Sequence, residues 1–271
     1  MTEHRFSASG FKLNCLDYGG DGKPPLLFVH GGSAHAHWWD FVAPAFTDRF
    51  HALALDQRGH GDSEWPREWE YGSRHYASDL AEIIGQIGTG APVIVGHSMG
   101  AHNTLVYAAE HSGKTRAIVV IDSRPDYSER AVEFLRAVSQ RPPRRFASLD
   151  EAVENFRLLP RETLAKKEIL QHVARFSFKQ LPDGSWTHKL DRRTMVREPL
   201  DMWAALPGVV CPALIVKITR SFSLDMATAR QIAAALPKGR LAEIGDSYHH
   251  VMLDNPQGLI ATLNEFLSGL E

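Results

Sequence analysis

Apolar residues along this chain follow two rhythms, and the places where one gives way to the other outline its organisation. Short, nearly continuous apolar runs recur at Leu26–Val29, His51–Leu55, Val93–Val95, Ala117–Ile121, Pro212–Val216 and Arg240–Ile244. Runs of this length predict strands buried on both faces. Segments with helical spacing lie between them, among them Ala101 to Glu110 and Met226 to Leu236. Two opening strands are predicted near Arg5–Ser9 and Lys12–Tyr18. Strand alternating with helix predicts an α/β fold with a mostly parallel sheet. From Arg124 to about Trp203 the strand rhythm stops, and apolar positions such as Val132, Leu135 and Val138 recur at helical spacing. A short turn at Pro182–Trp186 interrupts this region. The expected layout is a first core part over 1–123, a helical insertion over 124–204 and a second core part over 205–271.

The stretch Val93-Ile94-Val95-Gly96-His97-Ser98-Met99-Gly100 carries the chemistry. A strand drives into G-x-S-x-G and a helix follows at once, the sequence of a nucleophile elbow that leaves the serine hydroxyl exposed above the sheet. Gly96 and Gly100 let the backbone turn tightly. A serine hydroxyl needs a base to remove its proton. A late strand, Arg240–Ile244, leads into Gly245-Asp246-Ser247-Tyr248-His249-His250-Val251-Met252-Leu253-Asp254-Asn255-Pro256. Earlier, Leu26-Leu27-Phe28-Val29 runs into His30-Gly31-Gly32, and His51–Asp56 leads to Gln57-Arg58-Gly59-His60-Gly61-Asp62-Ser63.

These four segments, in their order along the chain, resemble the α/β-hydrolase superfamily over nearly the whole chain. The resemblance implies the α/β-hydrolase fold: a mostly parallel eight-stranded sheet flanked by helices, with a helical lid inserted after strand 6. It places the catalytic base at His249, counted back from Pro256 along a G-H-x-x-x-L-x-x-P-like loop, with Tyr248 where glycine is usual. His250 is then structural. The His-Gly-Gly loop matches the family's oxyanion loop, so the amides of Gly32 and of Met99 would hold the developing oxyanion. The D-x-R-G-x-G-x-S-like loop at Asp56–Ser63 is expected to shape the fold near the site.

The acid departs from the common pattern. Most relatives carry an aspartate after the strand that here reads Pro212–Lys217, but Phe222 occupies that position and cannot orient an imidazole. Asp225 follows three residues later, where a helix N-cap is expected. Asp122 ends the sixth strand, twenty-four residues after Ser98, and some members of the superfamily draw their acid from there. The working triad is Ser98, Asp122 and His249, with Asp225 as the alternative acid. Acid after strand 6 and the Gly-His-Ser-Met-Gly-Ala-His-Asn elbow are similar to bacterial hydrolases of ring degradation, of the (acetamidomethylene)succinate hydrolase type.

Composition narrows the reading. The 271 residues are 44% hydrophobic, enough for one substantial core, and a net charge of −2 gives no electrostatic case for nucleic acid or an anionic membrane. Cys15 and Cys211 are too few for a disulfide scaffold and read as buried thiols. Met1 to Gly10 lacks an apolar signal core and no run reaches the length of a membrane span, so a cytoplasmic protein is expected. Residues 124–203 hold 16 Lys and Arg against 12 Asp and Glu, near +4, which leaves the rest near −6. Arg141-Pro142-Pro143-Arg144-Arg145 concentrates part of that excess. It reads either as a solvated turn or as a clamp for an anionic acyl substrate. The aromatics Trp38, Trp39, Phe156, Phe176, Phe178, Trp186 and Trp203 read mainly as packing between insertion and core. His35, His37 and His102 lie near the loop and elbow, but no His/Asp/Glu spacing in the sequence implies a metal. The expectation is a cofactor-free serine hydrolase, without metal, that cleaves a small carboxylic ester or amide-like bond. A C–C bond hydrolase of aromatic degradation and a non-catalytic ligand-binding protein are the rival readings. Dehalogenase and epoxide hydrolase chemistry are disfavoured because those relatives carry aspartate where Ser98 stands. Oligomeric state is not legible.

Overall fold

The structure, a computed structural model, describes residues 1–88, 90–111, 113–126, 129–197 and 201–270. The strands are β1 (Thr2–Ala8), β2 (Phe11–Gly19), β3 (Pro25–Val29), β4 (His51–Leu55), β5 (Val93–His97), β6 (Ala117–Ile121), β7 (Phe178–Gln180), β8 (Trp186–His188), β9 (Ala213–Ile218) and β10 (Gly239–Ile244). Eight of them form one sheet in the order β1-β2-β4-β3-β5-β6-β9-β10. β1 pairs antiparallel with β2, and β2 with β4, while the remaining neighbours run parallel. The strands predicted from apolar runs fall where expected. The first strand is longer, starting at Thr2 rather than near Arg5, because its partner β2 is long enough to pair with it in full.

The sheet separates two cores. α1 (Ser73–Ile87) and α2 (Met99–Glu110) cover one face, packing Leu80, Ile83, Ala101 and Leu105 on Leu27, Val29, Ile94, Ile118 and Val120. The other face meets Trp39, Val42 and Phe46 from short turns of 3-10 helix, whose partners are Phe28, Val95, Val119 and Ile121. Successive residues of β3, β5 and β6 thus serve opposite cores. A strand buried on both sides must be apolar at every position, which explains the continuous runs in the sequence.

Between β6 and β9 lie α3 (Glu129–Ser139), α4 (Leu149–Glu154), α5 (Lys167–Phe176), the β7–β8 hairpin and α6 (Met202–Ala205). The turn predicted at Pro182–Trp186 closes this hairpin, whose strands are three residues each and too short to leave a periodic signal. None of the residues of α3 is buried, although its charge pattern is amphipathic. α7 (Met226–Ala235), α8 (Val251–Asp254) and α9 (Pro256–Ser268) complete the chain. Leu259, Leu263 and Phe266 of α9 join the core that contains Trp39.

The loop Asp56–Ser63 is a brace. Asp56 accepts from Ala36 N at 2.7 Å, Asn14 Nδ2 at 3.0 Å and Asp62 N at 2.9 Å. Arg58 is buried and grips Asp79 of α1 through two bonds of 2.6 Å, a fork-to-carboxylate pairing that leaves neither charge uncompensated. These residues fix the elements around the elbow, as the sequence suggested. Among the described residues no helix is long and apolar enough to cross a membrane.

Candidate active site

β5 ends at His97, and the chain turns into α2 through Ser98, which has φ 51° and ψ −117°. A non-glycine residue held there is strained, and the surrounding packing must maintain it. Ser98 N donates to Ile121 O at 3.0 Å, tying the turn to the neighbouring strand β6. The glycines flanking the turn are dictated by space. A Cβ on Gly96 would lie 2.6 Å from Gly100 O and Thr104 Oγ1, and one on Gly100 would lie 2.5 Å from His30 O. Met99 is the first residue of α2, so its amide has no acceptor within the helix and is available to an anion.

On the adjacent strand, β6 leads into Asp122. Asp122 N donates to Val216 O of β9 at 2.9 Å, and the residue adopts φ 48°. Its side chain is fully buried and meets His249 Nδ1 at 2.7 Å through Oδ2. An ionised carboxylate oxygen can only accept, so His249 Nδ1 is the donor in this contact. Asp225 stands elsewhere. It caps α7 by accepting from Thr228 N at 2.8 Å, and it pairs with Arg124 at 2.9 Å on the surface. Phe222 is 95% exposed beside the opening and makes no polar link to the histidine.

Several supports of this geometry were not read from the sequence, the structural role expected of His250 excepted. His97 Nε2 donates to the backbone carbonyl of His249 at 2.9 Å and so fixes the loop that carries it. Burial keeps the His97 imidazole neutral by pushing its pKa well below the usual value. His250 likewise donates from Nε2 to Pro160 O at 3.0 Å, and burial pushes it down to about 3. Next to Gly31, His30 Nε2 accepts from Gln57 N at 3.0 Å, while Gln57 Nε2 donates to His30 O at 2.7 Å. Gln57 Oε1 in turn accepts from Asn103 Nδ2 of α2 at 2.6 Å. This chain locks the loop bearing Gly31 and Gly32 to the helix that begins at Met99. Its only sequence signal was the polar residues following an apolar strand, a pattern too common to single out.

Ser98, Asp122, His249, Gly32 and Met99 line one cavity of about 570 Å³. Phe134, Leu135 and Phe222 line it together with the charged side chains of Arg124 and Asp126. An adjoining chamber of about 240 Å³ shares Gly32, Ser33, Leu159 and Met195 with it. Arg144, Arg157, Arg161 and Arg192 line this annexe, and no Asp or Glu does. No ion pair is seen for these four arginines among the described residues; Arg144 is held to Asn155 Oδ1 at 3.2 Å, and Arg192 to Val138 O at 2.7 Å. His188, also in the annexe, is pushed down to about 4 by burial and by Arg192, so the positive charge there belongs to the arginines. Arg197 lines the larger cavity, its Nη2 3.2 Å from where a Cβ on Gly32 would lie.

Comparison with known proteins agrees with this architecture. A 2-(acetamidomethylene)succinate hydrolase of Mesorhizobium japonicum is 37% identical over 114 residues, a match that spans 42% of this chain and 41% of that protein. An N-formylmaleamate deformylase of Pseudomonas putida is 26% identical across 96% of this chain and 94% of its own. An esterase of Mycobacterium tuberculosis is 25% identical across 92% and 84%. The crystal structure of an E-2-(acetamidomethylene)succinate hydrolase superposes with a TM-score of 0.88 at 24% identity, covering 98% of this chain and 99% of that one. The sequence profile of the alpha/beta hydrolase fold family matches residues 24–256, and the chain is therefore an enzyme of the α/β-hydrolase family.

Proposed function

We propose that this hydrolase cleaves a small, anionic carboxylic ester or amide-like substrate through an acyl-enzyme on Ser98. The observation that carries the reading is the 2.7 Å contact between buried Asp122 and His249 Nδ1, on the cavity wall that also holds Ser98. His249 takes the Ser98 proton on Nε2 as Oγ attacks the carbonyl, and Asp122 stabilises the imidazolium without taking the proton itself. The amides of Gly32 and Met99 face the developing oxyanion, each such donor contributing roughly 3 kcal/mol. His249 then gives its proton to the leaving group, and water, activated by the same base, releases the acid. The segment 124–204 serves as the lid, and its arginines form the wall of the annexe.

The annexe supports the anionic substrate. Four arginines line this annexe and no Asp or Glu does, in a protein of net charge −2; Arg192 is half-buried there and Arg144, Arg157 and Arg161 stand exposed at its edge. A substrate carboxylate would find charge-assisted, forked bonds there. The two relatives named for acetamidomethylenesuccinate and formylmaleamate hydrolysis act, by their names, on carboxylate-bearing molecules. The test compares p-nitrophenyl acetate with the p-nitrophenyl half-ester of a dicarboxylic acid. The wild-type enzyme is expected to prefer the half-ester. The double variant Arg144→Gln/Arg161→Gln is expected to raise KM for the half-ester by roughly 10-fold or more, from about 1.5–3 kcal/mol per lost charged hydrogen bond. Its kinetics with the neutral acetate should be unchanged. Equal use of the two esters by the wild type would remove the anionic part of the reading and leave the nucleophile untouched.

A further inference from the structure

A second cluster of chemistry-bearing side chains lies where α5 meets the turn that follows the oxyanion loop. His37 and Asp40 stand three residues apart on a short 3-10 turn, and His172 lies on α5, 132 residues further along the chain. The fold brings His37 Nδ1 to 3.0 Å from Asp40 Oδ2 and His172 Nε2 to 2.6 Å from the same oxygen. The three donor atoms all lie within 4.8 Å of one another.

We propose that His37 Nδ1, Asp40 Oδ2 and His172 Nε2 form a binding site for a divalent transition-metal ion of the zinc class, which clamps α5 to the core. Two imidazoles and one carboxylate suit Zn²⁺, Co²⁺ or Ni²⁺ and not the hard, oxygen-seeking Mg²⁺ or Ca²⁺. Tetrahedral ligands at about 2.0–2.1 Å from zinc stand about 3.3–3.4 Å apart. The observed separations of 3.0 and 2.6 Å therefore need to open by under about an ångström, which the half-exposed His172 side chain allows. The surroundings hold each donor in place. Tyr18 OH donates to the other Asp40 oxygen at 2.6 Å, and His37 stacks on Phe176 with ring centroids 3.5 Å apart. Supports of this kind typically raise metal affinity 10- to 100-fold. Without the ion the two imidazoles donate to Asp40, so binding requires His37 Nδ1 and His172 Nε2 to give up their protons, while Tyr18 stays on the other carboxylate oxygen. His172 is 39% exposed, which gives the ion an entry path and room for water as a fourth ligand.

Two other groupings compete for the ion: Asp17, Asp21 and His51 at the opposite end of β4, and His97, His249 and His250 beside the cavity. The experiment is calorimetric titration of the purified, chelator-treated protein with zinc chloride, repeated on His172→Ala, Asp40→Asn and His51→Ala, with circular dichroism to verify that each variant folds. Expected is one ion per chain at the clamp, an affinity at least 10-fold weaker in His172→Ala and in Asp40→Asn, and unchanged binding in His51→Ala. Thermal unfolding of the wild type should shift upward with zinc, and that of His172→Ala should shift less. Binding that survives both clamp substitutions, that disappears in His51→Ala instead, or that is absent in the wild type overturns the proposal. None of these readouts depends on enzymatic turnover, so the outcome is independent of the assignment of Ser98.

Discussion

Replacing Asp122 by asparagine is expected to lower kcat on the order of 10⁴-fold while the protein remains folded. The side chains are nearly the same size, so the buried site can accept the change. The chemistry cannot. An aspartate oxygen accepts the proton of His249 Nδ1 at 2.7 Å and leaves Nε2 free to act as base. The asparagine amide can donate to Nδ1 instead, which puts the histidine's proton on Nε2, where it faces the serine and cannot receive another. It also removes the negative charge that stabilises the imidazolium. The matching control is Asp225→Ala. That aspartate caps α7 and pairs with Arg124, so its loss should lower the unfolding temperature slightly and leave kcat within about two-fold. Steady-state kinetics and thermal unfolding of the two variants check both statements. The reverse pattern, with activity lost at Asp225 and kept at Asp122, would move the acid to the end of the following strand.

Ser98→Ala should have the larger effect. Without Oγ no acyl-enzyme forms, and loss of the nucleophile from an intact triad costs about 10⁶-fold in kcat. Binding should persist, because alanine removes one atom from a site whose other walls are unchanged. The double variant Ser98→Ala/Asp122→Asn should be scarcely worse than Ser98→Ala alone, since the triad works as a unit and its parts do not contribute additively. Rates for the single and double variants, measured with the same ester, give this comparison directly. A double variant slower by the product of the two single effects would show that the two residues act in separate steps.

The elements of this site differ in how far they could be read from the chain, and the difference is physical. The elbow was legible because its constraints are local. A buried strand, two glycines with no room for a Cβ and a helix start lie within a dozen residues. His249 was singled out through the resemblance, by counting back from Pro256 along a G-H-x-x-x-L-x-x-P-like segment. The acid was ambiguous because Asp122 and Asp225 both follow strands, and only the position of the imidazole separates a residue that meets it from one that caps a helix. The annexe was legible only in part: Arg144 belongs to the Arg141–Arg145 run read as a turn or a clamp, while Arg157, Arg161 and Arg192 come from separate segments that sequence spacing does not bring together. The same holds for His37, Asp40 and His172, whose meeting depends on how α5 docks. The β7–β8 hairpin was missed for a simpler reason: three-residue strands are shorter than the period needed to recognise them.

The most direct test of the central claim is intact-mass measurement after treatment with a small alkyl fluorophosphonate, which reacts with a serine only when a base activates it. Wild-type protein is predicted to gain one phosphonyl group, mapped by peptide analysis to Ser98, and Ser98→Ala none. An unmodified wild type, or an adduct that persists in Ser98→Ala, would contradict an activated nucleophile at the elbow.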